Sequence, residues 1–114
     1  VTVAPSFAAT YAWPVQVVQP VTVTNMTIPA SVQLVLTCHV SAKGALIPMA
    51  VGTTPVPVTA TSGGGFSYSG TISVPINPVA GLTVAPQAGN IASCVLRFAN
   101  QAANQSSAST LTLP

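Results

Sequence analysis

The 114-residue chain contains no aspartate and no glutamate, and its only basic residues are Lys43 and Arg97, with a single imidazole at His39. Charged residues make up 2% of it, where an ordinary domain carries about 25%. The missing carboxylates remove the usual general acids and bases, so no enzyme activity is expected. They also remove the clustered oxygens that calcium and magnesium need. Two cations release too few counterions to hold a phosphate backbone, so nucleic acid is not an expected partner. No apolar run approaches the ~18 residues of a spanning helix, and no charged segment precedes a cleavable hydrophobic one. No membrane span is expected, and if the protein is exported the sequence reads as its mature form.

Other scarce residues narrow the chemistry further. Cys38 and His39 are adjacent, but neighbours on a strand point to opposite faces and form neither a catalytic dyad nor a metal pair. Nothing requires a copper site built from His39 with Met26 or Met49, and no cofactor is expected. The SGGG stretch at 62–65 lacks the Lys and Ser or Thr of a phosphate loop and reads as a hairpin tip. Aromatic residues number six, and three of them, Phe7, Tyr11 and Trp13, fall within the first thirteen positions.

What is present is hydroxyl and aliphatic. Eleven serines and fourteen threonines, with Asn and Gln, must carry solubility in place of charge. A nearly neutral surface of this kind tends to associate, which argues against a free monomer as the working state. Glycine and proline stay below the ~25–30% of a low-complexity chain and punctuate the sequence at turn-like intervals.

Alternation with a period of two dominates the rest. SVQLVLTCHVSA places Val32, Leu34, Leu36, Cys38 and Val40 on one face; AKGA after it reads as a hairpin turn. ALIPMAV and TPVPVTA are expected as short proline-bearing strands at sheet edges. FSYSGTISVPI alternates Phe66, Tyr68, Ile72, Val74 and Ile76 with small polar residues, the clearest strand signal in the chain. NPVAGLTVAPQAGN reads as a turn, a brief strand and a loop. ASCVLRFA directs Ala92, Cys94, Leu96 and Phe98 inward, NQAANQSSA is a polar connection, and STLTLP is a last short strand. Matching inward parity on two strong strands predicts a Cys38–Cys94 disulfide, and with it an oxidising, extracellular setting. About seven strands at such spacing predict an all-β fold, an antiparallel two-sheet sandwich with Ig-like or jelly-roll topology.

The opening stretch, VTVAPSFAATYAWPVQVVQPVTVTN, alternates as well: Val1, Val3, Pro5, Phe7, Ala9, Tyr11, Trp13, Val15, Val17, Val21 and Val23 share odd positions, and only Gln19 breaks the apolar row. One strand of that length would run roughly 75 Å, several times the usual ~17–20 Å. With Pro14 as a hinge, residues 15–114 are expected to form the sandwich domain, Val15 to Asn25 being its first strand. Residues 1–14 are then an extended N-terminal strand with no sheet of its own.

The cysteine separation and strand count resemble the immunoglobulin-like superfold over roughly residues 21–114, without its tryptophan on the strand after the first cysteine and with Ala92 where antibody-type members keep a tyrosine. With the alternating N-terminal extension, the architecture resembles pilins that polymerise by donor-strand exchange. That resemblance implies a structural subunit of an extracellular, cell-surface homopolymeric filament, assembled head to tail with itself as partner. It implies that Val1, Val3, Phe7, Tyr11 and Trp13 form the subunit interface by pairing in the next subunit. The alternative is a secreted carbohydrate- or surface-binding β-sandwich module of a cell envelope or virion coat, with the same aromatics stacking on sugars. Two sequons, at Asn25 and Asn104, are possible glycosylation sites that would add solubility.

Overall fold

A computed structural model describes residues 4–6, 14–45, 47–81 and 85–113, and all of its regular structure is β. The strands are β1 (Ala4–Ser6), β2 (Val15–Met26), β3 (Leu34–Ser41), β4 (Ala50–Pro55), β5 (Thr59–Ala60), β6 (Phe66–Pro78), β7 (Ile91–Phe98) and β8 (Ser109–Thr112). All pairings are antiparallel and follow one path, β1-β2-β6-β4-β3-β7-β8, with β5 added beside β6. The result is a curled antiparallel sheet, a half-barrel.

The curl turns on β6. Its residues from Phe66 to Ile76 pair with β2, whereas Asn77 and Pro78 pair with Val51 and Ala50 of β4. Gly52 sits where the two strands converge, and a Cβ there would run into the Pro75 carbonyl oxygen. Since a strand residue's N and C=O point the same way, the N–H that Pro75 lacks falls on the β4 side, where the ladder has only two residue pairs. The long β2–β6 ladder loses nothing.

Period-two burial builds the core. Val15, Val17, Val21 and Val23 of β2, Ile72, Val74 and Ile76 of β6, Leu34, Leu36, Cys38 and Val40 of β3, and Ala92, Cys94 and Phe98 of β7 are all buried together. These are the inward rows that alternation assigned, and β2 spans nearly the segment expected as the first strand. Cys38 and Cys94 are joined, and they stand directly opposite one another in the β3–β7 ladder. The disulfide thus staples two adjacent strands of one sheet.

Two expectations need correction. The proline-bearing segment around residue 50 is not an edge: β4 lies between β3 and β6. Its prolines do not obstruct this, because Pro48 precedes the strand and Pro55 ends it. The N-terminal extension does not stand wholly off its own sheet either. Ala4, Pro5 and Ser6 pair with Val18, Val17 and Gln16 of β2. The free outer edge of β2 is the nearest unpaired ladder, and a short extended segment satisfies part of it. The brief strand expected after Gly81 lies outside the described residues.

Candidate functional site

The half-barrel leaves a seam between its two ends. On one side is β2, whose outer edge β1 covers only from Gln16 to Val18. From Gln19 onward β2 has β6 on one side and, among the described residues, no strand on the other. On the far side is β8, which pairs with β7 only from Ile91 to Cys94. Beyond Cys94 the β7 edge is capped by the polar connection that follows it. The Gln105 N–H donates to the Leu96 carbonyl at 2.7 Å, the Leu96 N–H to Ser106 Oγ at 2.9 Å, and Arg97 bridges to Asn104.

Between these ends lies a cleft of about 200 Å³, lined by Gln19, Pro20, Val21 and Thr22 of β2, Leu36 of β3, Cys94, Val95 and Leu96 of β7, and Ser106, Ser107 and Ser109. Leu96 points inward by parity yet is only half-buried, because the cleft is where its neighbour is missing. Gln19 is 2% exposed. Its Nε2 donates to the Pro20 carbonyl at 2.9 Å, while its Oε1 is buried without a partner among the described residues. An acceptor buried without a donor costs about 1–3 kcal/mol. The cleft walls offer apolar surface and serine and threonine hydroxyls, with no charged side chain among the described lining residues.

A second, more open groove of about 310 Å³ lies along β2, β5 and β6, lined by Thr22, Val23, Thr24, Thr59, Ser67, Tyr68 and Ser69. No protein-family model, no curated protein and no solved structure matches this chain.

The residues singled out in the sequence fall in different places. Val1, Val3, Phe7, Tyr11 and Trp13 lie outside the described residues. His39 is half-buried on the outer face, opposite Val51 and Ser93, and on the other side of β3 from Cys38. Asn25 is exposed at the end of β2 in a left-handed conformation, φ 47°. Its N–H donates to Ser67 Oγ at 3.0 Å and its Oδ1 accepts from Thr61 Oγ1 at 3.0 Å. Asn104 is exposed in the connection after β7, and the hydroxyl of its sequon, Ser106, also lines the cleft. Among the described residues no cluster of His, Cys, Asp or Glu is placed to hold a metal. Gln19 was visible in sequence as the one break in an apolar row. Leu96 and Ser106 gave no such signal, since their part in the cleft depends on where β8 stops pairing.

Proposed function

We propose that the chain is a structural subunit of an extracellular homopolymeric filament, in which the N-terminal strand of one subunit completes the sheet of the next. The observation that carries this reading is the outer edge of β2, where among the described residues only Gln16 to Val18 are paired, by the three residues of β1. An edge of that kind is a template for strand addition. The half-barrel is then a pilin-like, Ig-like sandwich short of one strand, and a head-to-tail contact that closes no ring grows into a fibre. The disulfide suits an oxidising exterior.

Electron microscopy of the full chain, compared with a chain beginning at Pro14, tests the reading. The full chain is expected to form filaments as its concentration rises, and the truncated chain to keep its disulfide but form none. Filaments from the truncated chain would sink the strand-donation mechanism.

A carbohydrate- or surface-binding module is the second reading, and the hydroxyl-lined groove over β2, β5 and β6 favours it. Its mark would be a full chain that stays monomeric at all concentrations and shows sugar-dependent tryptophan fluorescence.

A further inference from the structure

Every charged side chain of this protein has one sign, since no aspartate or glutamate stands anywhere in its 114 residues. The cationic groups also follow one strand. Arg97 stands directly opposite Val35 in the β3–β7 ladder, and His39 lies four residues further along β3, a step of about 13 Å at ~3.3 Å per residue. Lys43 is exposed in the turn just beyond the strand, which the Ala45 N–H closes by donating to the Ala42 carbonyl at 2.9 Å. Leu34, Leu36, Cys38 and Val40 take the inward side of β3, and directly opposed residues point to the same side, so Arg97 and His39 share the outer face.

Packing, not an ion pair, places Arg97. Val35 points outward yet is only 3% exposed, and its ladder neighbours are Arg97 and Pro55, the arrangement in which an arginine stem lies over apolar surface. The Nε is buried without a partner among the described residues. Neither this chain nor a second copy offers a side-chain carboxylate, so the countercharge must come from a different molecule. We infer that the outer face of β3 and β7 is a docking surface for an acidic polysaccharide, whose carboxylates meet Arg97, His39 and Lys43 in turn. A guanidinium takes a carboxylate through two parallel hydrogen bonds. Between the cations the face carries hydroxyls, Ser41 and the Thr37–Thr53 pair with Oγ1 atoms 3.3 Å apart, which match the hydroxyls of a sugar chain better than the side chains of an acidic peptide. Nucleic acid is a poor match: a duplex presents a charge every ~1.7 Å, far denser than this row. The site does not depend on how subunits assemble.

Binding of the full chain to immobilised polygalacturonate at low ionic strength tests this, with dextran as the uncharged control and polyglutamate as the acidic-peptide control. Affinity for polygalacturonate is expected to exceed that for either control about tenfold, and Arg97→Gln and Lys43→Gln each to weaken it about two- to fivefold, as single exposed ion pairs do. The imidazole is the side chain that gains its charge between about pH 8 and pH 5, and the ladder neighbours of His39, Val51 and Ser93, are uncharged. Binding is therefore expected to be tighter at pH 5 than at pH 7, and His39→Gln to remove the difference. In the unsubstituted chain, which has no side-chain carboxylate to compete, a carbodiimide is expected to join the polymer to Lys43, as read by peptide mapping; this covers the case of an Arg97 variant that does not fold. Equal binding to dextran, or an affinity that neither Lys43→Gln nor pH moves, overturns the site. Equal or tighter binding to polyglutamate overturns the polysaccharide and makes the partner an acidic peptide.

Discussion

Gly52 shows how one missing side chain shapes the whole sheet. Only a hydrogen in place of Cβ lets β4 approach the Pro75 carbonyl, and that approach couples the two halves of the curl. Gly52→Ala is expected to lower stability by about 1–3 kcal/mol, the usual range for overpacking against a backbone that cannot yield. Gly63→Ala serves as control, since its Cβ would meet nothing within 4 Å and its φ is ordinary. Denaturant midpoints measure both; equal midpoints would mean that the strands separate at no cost. Gln19 is the residue where local pattern and global structure disagree. An amide in an apolar row is a poor core residue and a good clue, since local rules tend to be broken where a site needs them broken. Sequence revealed the break; that Oε1 lacks a partner among the described residues is legible only in the fold.

Strands were legible where they alternate cleanly. β3, β6 and β7 follow their inward rows because one face of each packs on the core, most completely in β3 and with Phe66, Tyr68 and Leu96 only half-buried. β4 was harder: Ala50–Pro55 contains a glycine, two threonines and a proline, and its place in the interior comes from pairing with β3 along six residues. β5, of two residues, has too little length for any period. Inward parity identified the cysteine pair, yet parity alone does not distinguish strands facing one another across a core from strands lying side by side. Position in the ladder also sets local stability. β3 is paired on both sides for most of its length, whereas β1 and β8 are short and terminal. In the monomer, amide exchange from Leu34 to Val40 is expected to require global unfolding, and exchange in β1 only fraying. Uniform protection across these strands would show that the edge is held more firmly than its ladder implies.

For the molecule as a whole, the absence of side-chain carboxylates governs the response to acid. Acid unfolding comes mainly from carboxylates that are ionised in the native state and must be protonated, and a depressed carboxylate would lose its stabilisation as pH falls. No such side chain exists here, so this route by which acid favours the unfolded chain is closed. The melting temperature is expected to change by less than about 4–8 °C between pH 7 and pH 2, the equivalent of roughly 1 kcal/mol, as read by calorimetry. A steep fall would mean that acid acts through some other route. The stapled pair of strands also determines how the molecule bears a pull. Tension entering at the N-terminus and leaving at the C-terminus crosses from β3 to β7 through the sulfur bridge and bypasses the 56-residue loop that holds β4, β5 and β6. On the order of 200 Å of slack stays locked inside. β2 lies outside that loop and β6 inside it, so their ladder is the joint on which the load falls.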